Sequence, residues 1–323
     1  MKVFVNRKYG SPDVLQLEEV EKPTPADNEI LVKVRAISVN PWDWHSMRGK
    51  PAFARLALGL RGPKIHVLGA DVAGQVEVVG EDVKRFQPGD EVFGDLADFG
   101  GGSFAEYVCN SEEAFVVKPT GTTFEEAAAV PLAALTALQG LRDKGQIQSG
   151  QKVLVNGASG GVGSFAVQIA KSFDTEVTGV CSTGNIEMVH SIGADRVIDY
   201  TQDDFTRNGL HYDLVFDAVG NHSVSAIKRA LNPGGICAVI GFSSVGRMMQ
   251  TVLLGPFMLL GSRKKMGLMV AKMKQEDLVS IKELVEAGKV IPVIDRRYSF
   301  DEIPEAVRYL EEGHARGKVV VTM

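Results

Sequence analysis

The hydrophobic pattern of the chain changes about a third of the way along. Up to about residue 123, short β-branched runs (KVFV, ILVKVRAISV, DVAGQVEVVG, DEVFG, FAEYVC) are punctuated by Gly and Pro, which predicts strands and turns. From Phe124 the run FEEAAAVPLAALTALQGL, rich in Ala and Leu after an acidic start, predicts a helix. Strands and helices then alternate: KVLVN, SFAVQIAKSF, EVTGVC, NIEMVHSIGA, RVIDY, DLVFDAVG, SVSAIKRAL and ICAVIGF. That alternation specifies right-handed βαβ crossovers, an α/β fold with a doubly wound parallel sheet. KVLVN and DLVFDAV are almost continuously apolar, as strands covered on both faces must be. A helical run, DLVSIKELVEAGK, leads through VIPVI to the strand KVVVTM, which returns to the style of the first third. The expected division is therefore residues 1–123, 124–264 and 265–323, the last rejoining the first as one discontinuous β-rich domain.

With 323 residues, two domains are the natural expectation. Hydrophobic residues at 45% and charged residues at 23% are the balance of an ordinary globular protein. A net charge of -5 gives no basic surplus for a nucleic-acid partner. Cys109, Cys181 and Cys237 are too few and too scattered for a disulfide framework or a Cys-rich metal lobe, which fits a reducing, cytoplasmic setting. Charges and a Pro break up the first residues, so no signal peptide is expected. The most apolar stretch, Met248 to Leu260, is shorter than the roughly 20 residues that cross a bilayer, so no integral membrane segment is expected. It reads as a pocket-lining or interface segment, with peripheral membrane contact as the alternative.

Strand KVLVN runs into Gly157-Ala158-Ser159-Gly160-Gly161-Val162-Gly163 and then into a helical pattern. A dinucleotide diphosphate needs this order: small residues for the bend, close backbone approach, and a helix start whose N–H groups lack partners. Ala158, Gly160 and Gly163 take the three places of G-x-G-x-x-G. About 20 residues on, an NAD-selecting site shows an acid that holds the ribose 2′-OH. Here Cys181-Ser182-Thr183-Gly184-Asn185 offers hydroxyls and an amide, and no acid precedes Glu187. That favours NADPH, although no Lys or Arg in the stretch neutralises its 2′-phosphate.

Five pieces stand in the order seen in medium-chain dehydrogenases/reductases: GADVAG from Gly69, FQPGDEVFG from Phe86, SFAEY from Ser103, AALTA from Ala133, and the Gly-rich turn. The sequence resembles the zinc-independent, quinone oxidoreductase-like branch of that superfamily. The resemblance implies a Rossmann domain with a discontinuous GroES-like β-rich domain. It also implies NADPH-dependent hydride transfer to quinones or to the conjugated double bond of enones and alkenals. Where zinc relatives place Cys, His and Cys, this chain has Asn40, Ala70 and the Ala-rich stretch Ala133 to Thr136, which cannot supply three N, O or S ligands, so no metal site is expected. The run Asn40-Pro41-Trp42-Asp43 through Arg48 and Gly49 matches the cleft-lining N-P-x-D-x-x-x-R-x-G pattern.

Asn40 and Asp43 are accordingly the catalytic candidates. Asn40 offers an amide to the substrate oxygen or the nicotinamide, and Asp43 orients the loop or Arg48; the bland reading is that both satisfy backbone groups in a turn. The cofactor contacts implied are Thr136 near the nicotinamide and Ser159, Gly160, Gly161 and Val162 in the turn. Ser182 and Tyr200 are implied at the adenosine end, Val219, Gly241 and Phe242 along the dinucleotide, and Gly317 and Lys318 at the carboxamide. No residue announces itself as proton donor. The implied partners are a small apolar carbonyl or quinone and a second copy of the chain. Two other readings stay open: an enoyl-thioester reductase, with Arg263, Lys264 and Lys265 receiving a carrier, and a nucleotide-binding protein of vestigial activity.

Overall fold

The computed structural model describes residues 1–254, 257 and 261–323. Most of the stretch from Met248 to Leu260 is therefore described only up to Leu254, and its expected pocket-lining role falls largely outside the described residues. The chain divides into two compact units. One comprises residues 1–133, 272–286 and 292–323, and the other residues 134–271 and 287–291. The boundaries proposed from sequence, 123/124 and 264/265, come earlier in the chain than both main divisions.

In the first unit, β1 (Lys2–Asn6) and β2 (Leu15–Glu19) form an antiparallel pair. The main sheet, among the described residues, runs β14 (Ile294–Ser299), β15 (Lys318–Thr322), β3 (Glu29–Val39), β4 (Asp71–Val79), β5 (Glu91–Asp95), β7 (Phe115–Val117). A further strand, β6 (Tyr107–Ser111), pairs with β3. Pairing of β15 with β3 brings the last strand of the chain into the middle of this sheet, with Val320 opposite Ser38. The core includes Ile30, Val32, Ile37, Val72, Phe104 and Phe115, joined by Ile303, Ala306 and Val307 from the helix Ile303–Glu311. That helix went unnoticed in the sequence, because its apolar face is short and Pro304 stands in its first turn, where proline is tolerated.

In the second unit, β8 (Lys152–Asn156), β9 (Glu176–Cys181), β10 (Arg196–Asp199), β11 (Tyr212–Asp217), β12 (Leu231–Val239) and β13 (Lys265–Leu268) form a sheet in the order β10-β9-β8-β11-β12-β13. Every pairing is parallel. Counted from β8, this is the doubly wound 3-2-1-4-5-6 order, whose direction reverses between β8 and β11. Val153, Leu154 and Val155 are all buried, which accounts for the unbroken apolar run in KVLVN.

The single helix expected from Phe124 is two, Phe124–Ala128 and Pro131–Gln139. Proline at 131 has no N–H to continue the first helix, and its fixed φ suits the start of a new one. The first helix opens with a reciprocal cap: the Glu126 N–H donates to Thr123 Oγ1 at 3.1 Å, and the Thr123 N–H donates to Glu126 Oε2 at 2.8 Å. Strand β14 starts only at the last residue of VIPVI, and β6 only at the Tyr of FAEYVC.

Phe104 is wholly buried in the first unit's core. Truncating it to Ala removes a ring the surroundings cannot refill, so the unfolding free energy of that unit should fall by about 3–5 kcal/mol in a urea titration.

Candidate functional site

The bend after β8 is built as the motif predicts. Gly157 takes φ 84°, in the left-handed region that favours glycine. Gly163 packs so closely that a Cβ there would lie 2.0 Å from the Gly157 carbonyl oxygen. Gly160 is different: its Cβ position meets only that same oxygen, at an ordinary 3.5 Å, so the space over it is open. Gly160 caps the helix Gly161–Ser172, whose ladder begins where the Ser164 N–H donates to the Gly160 carbonyl at 2.9 Å. The N–H groups of Gly161, Val162 and Gly163 therefore precede the ladder, and Gly160, Gly161 and Val162 are half-buried rather than sealed from solvent. Open approach, unpaired donors and the positive end of a helix suit a diphosphate.

Other predicted residues gather at the same carboxyl rim of the parallel strands. Ser182 follows β9, and Tyr200 follows β10 with its N–H donating to the Cys181 carbonyl at 3.0 Å and its side chain 63% exposed. Val219 follows β11 and packs against Gly157, whose added Cβ would lie 2.7 Å from Val219 Cγ2. Gly241 and Phe242 follow β12, and a Cβ on Gly241 would lie 2.3 Å from the Ala218 carbonyl oxygen. Thr136 is buried on the helix Pro131–Gln139. Gly317 and Lys318 belong to the other unit, so the structure does not gather them with this rim in one unit.

Several rim residues were not singled out from sequence. Asn156 Nδ2 donates to Asp217 Oδ1 at 2.8 Å and to Asn221 Oδ1 at 3.1 Å, and Asp217 Oδ1 also accepts the Val219 and Gly220 N–H groups. These bonds tie the two strands that flank the reversal point. An acid does reach the adenosine end, but from the third strand: Asp199 accepts Thr183 Oγ1 at 2.5 Å, Thr201 Oγ1 at 2.7 Å, the Thr201 N–H at 2.9 Å and Gln202 Nε2 at 3.1 Å. These donors hold its pKa below the usual carboxylate range, Thr183 foremost. Reading only the second strand missed it, since strand adjacency is a tertiary fact.

The first unit holds a buried polar cluster where β3, β4 and β15 meet. Asp71 Oδ2 accepts Ser38 Oγ at 2.6 Å, Asn40 Nδ2 at 2.9 Å and Lys318 Nζ at 3.1 Å, while its Oδ1 accepts the Leu132 N–H at 2.8 Å. Lys318 Nζ also donates to Asn40 Oδ1 at 2.5 Å. Lys318 is only 3% exposed and Asp71 is wholly buried. Asn40 Nδ2 gives its second hydrogen to the Ser38 carbonyl at 3.2 Å.

This arrangement corrects two expectations. Both hydrogens of the Asn40 amide are already donated inside the protein, so that amide has none left for a substrate oxygen. The group with a hydrogen to spare is the Lys318 ammonium, which has three and places two. Asp43 does not orient Arg48: its Oδ2 accepts the Asn40 N–H at 2.7 Å and its Oδ1 the Gly69 N–H at 3.0 Å. Arg48 instead forms a bidentate pair with Glu311, both bonds 2.6 Å. Burial raises the Asp43 pKa to about 7, with the neighbouring Asp71 charge pushing the same way. Asp95, opposite Asp71 in the β4–β5 register, is also raised well above the carboxylate range, by burial first and by Asp71 second.

Comparison with known proteins gives this architecture its place. Residues 26–120 match the family model described as alcohol dehydrogenase GroES-like domain, and residues 192–321 match the one described as zinc-binding dehydrogenase. The chain is 37% identical to a 2-methylene-furan-3-one reductase of Solanum lycopersicum, over 99% of this chain and 79% of that protein. It is 36% identical to a chloroplast envelope quinone oxidoreductase homolog of Arabidopsis thaliana, over 98% of this chain and 96% of that protein. The solved structure of the quinone oxidoreductase from Coxiella burnetii superposes with a TM-score of 0.87 at 30% identity, covering 100% of this chain and 99% of that one. A nucleotide-binding Rossmann unit with a GroES-like β-rich unit is the architecture of alcohol-dehydrogenase-like proteins. Within that class, the chain belongs to the medium-chain dehydrogenase/reductase superfamily, in its quinone oxidoreductase-like branch. Although one matching family is described as zinc-binding, no group of three or more His, Cys, Asp or Glu among the described residues could hold a metal ion.

The raised carboxyls carry a pH signature. A carboxyl whose folded pKa lies above its unfolded value of about 4 holds its proton more tightly in the fold. Its contribution to stability is full below about pH 4 and is lost as pH rises through the folded value. Carbon-13 NMR of the Asp side chains should therefore resolve Asp43 titrating near pH 7, and the unfolding free energy of the first unit should decline on this account from about pH 4 to pH 8.

Proposed function

We propose that this protein is an NADPH-dependent oxidoreductase that delivers hydride to quinones or to the conjugated double bond of enones and alkenals, without a catalytic zinc. The observation that carries this reading is the open, half-buried bend at 157–163, set at the start of a helix beside the reversal point of a parallel sheet. Bound there, NADPH supplies the hydride. The chain's part is to hold it: Ser159, Gly160, Gly161 and Val162 at the diphosphate, Ser182 and Tyr200 at the adenosine end, Val219, Gly241 and Phe242 along its length. Thr136 and Gly317 complete the proposed contacts.

Reduction of a conjugated carbonyl builds negative charge on its oxygen, which needs a preorganised donor. In our reading the Lys318 ammonium is that donor, held by Asn40 Oδ1 and Asp71 Oδ2 with one hydrogen unplaced. Asn40 and Asp43 act behind it, fixing the loop at the helix Pro41–Arg48. The zinc-free reading rests on the donor set. The cluster contains amide, carboxylate and ammonium but no thiolate or imidazole, and its centre is taken by a cation that would repel a metal ion. The names of the relatives, a furanone reductase and quinone oxidoreductases, support the substrate class. One relative is named as a chloroplastic NADPH-dependent alkenal/one oxidoreductase, which supports the cofactor.

Three separate free thiols support a reducing compartment such as the cytoplasm, although several relatives are named as chloroplastic or mitochondrial. No helix among the described residues is long and apolar enough to cross a membrane. We read β13, at the edge of the second unit's sheet, as the strand through which two copies pair into a homodimer.

Loss of NADPH absorbance with a panel of quinones, alkenals and an enoyl thioester tests the activity. Turnover is expected with the first two groups and should survive prolonged chelation; loss of activity restored by added zinc would refute the zinc-free part. Gly160→Val tests the bend. Since a Cβ at Gly160 meets nothing closer than 3.5 Å, the variant should fold normally yet lose NADPH binding by at least about a hundredfold in a fluorescence titration, as the side chain fills the diphosphate's approach.

A further inference from the structure

Between the bend after β8 and the end of β9, one side chain binds two others without itself having been expected at the site. Asn185 Nδ2 donates to Ser159 Oγ at 3.1 Å and to Ser182 Oγ at 3.2 Å. Its Oδ1 is buried and has no partner. Turned over, the amide would accept from both serines and leave its NH2 as the orphan, the rarer defect in folded proteins, so the orientation is determined. Each serine oxygen then receives a hydrogen from Asn185, and neither hydroxyl has another protein acceptor among the described residues. Their own hydrogens are left to be donated outward.

The location gives this a meaning. Strands β8 and β9 are adjacent and parallel, with Asn156 opposite Val180, so Ser159 and Ser182 stand just past neighbouring carboxyl ends. In a doubly wound sheet the first of these ends holds the diphosphate and the second holds the ribose 2′ position. A dianionic phosphate monoester accepts hydrogen bonds and donates almost none, whereas a 2′-hydroxyl does both. The nearest acid, Asp199, is engaged by Thr183, Thr201 and Gln202.

We propose that Asn185 is a positioning residue for cofactor choice: by occupying acceptor sites of Ser159 and Ser182, it fixes both hydroxyls as donors to the 2′-phosphate of NADPH and so selects it over NADH without a Lys or Arg. This deepens the function proposed above and rests on it. Two variants separate it from a structural role. In Asn185→Asp the carboxylate accepts from both serines, turns their hydrogens inward and adds a negative charge. In Asn185→Ala the hydroxyls are free to rotate.

The measurements are Kd for NADPH and for NADH by fluorescence titration, with kcat at saturating NADPH. Asn185→Asp should weaken NADPH binding by at least about tenfold, leave NADH within about threefold and leave kcat within about twofold. Asn185→Ala should shift the same ratio in the same direction by a smaller factor. Equal losses for both dinucleotides in both variants, or an unchanged ratio in Asn185→Asp, would overturn the assignment while leaving the dinucleotide site intact. A wild-type protein that binds neither dinucleotide would overturn the proposed function itself, a result visible before any variant is made.

Discussion

The ion pair of Lys318 with Asp71 is the constraint on which the first unit turns. It joins β15, near the end of the chain, to β4 across the intervening β3, all three strands being neighbours in one sheet. Such a pair is a poor source of net stability, because removing both charges from water costs about as much as their attraction returns. Its strength lies in specification. Once either partner is in place, the other cannot be absent without leaving a bare charge in a dry interior, a defect of about 3–5 kcal/mol. The terminal strand thus has one acceptable position, and the discontinuous unit closes in one way.

Charge balance in that cluster then governs its neighbours. Asp43, Asp71 and Asp95 are buried together with a single ammonium, so three negative charges are not sustainable there. Asp71 takes the lysine and two further side-chain donors. Asp43 and Asp95, lacking the lysine, are pushed toward the protonated form. The second unit solves a similar problem without charge. At its strand ends, backbone N–H groups, serine hydroxyls and the Asn156–Asp217 tie arrange donors and acceptors around a bend of small residues.

Much of the fold was legible because two periodicities decide it. Alternating βα units with apolar strands permit few arrangements other than a parallel doubly wound sheet, and the small residues at 157–163 admit few uses beside such a strand. Legibility ended where residues distant in sequence share an environment. Nothing near Asp71 says that Lys318 will meet it, and nothing near Ser182 says that Asp199 or Ser159 will be its neighbours. Asn40 and Asp43 were found by motif, yet their roles came out differently, since a pattern of letters does not reveal which hydrogens are already spent. Local breaks also misled: Pro131 split one expected helix into two, and Pro304 hid the helix that buries Ile303 and Val307.

On the function proposed here, the ammonium also explains why the substrate should be an activated alkene or quinone. A divalent metal polarises a carbonyl by direct coordination and tolerates a full charge on one oxygen. Lys318 offers a single remaining hydrogen, and its charge is already partly offset by Asp71 at 3.1 Å. Such a donor is matched to an acceptor that shares the burden. In an enone or quinone the incoming electron pair spreads over the conjugated system, so the oxygen it reaches carries less than a full charge when hydride arrives. A simple ketone lacks that relief and would need the stronger cation. The residues that replace a metal-binding set thus define a narrower chemistry, set by how much negative charge one half-neutralised lysine can hold.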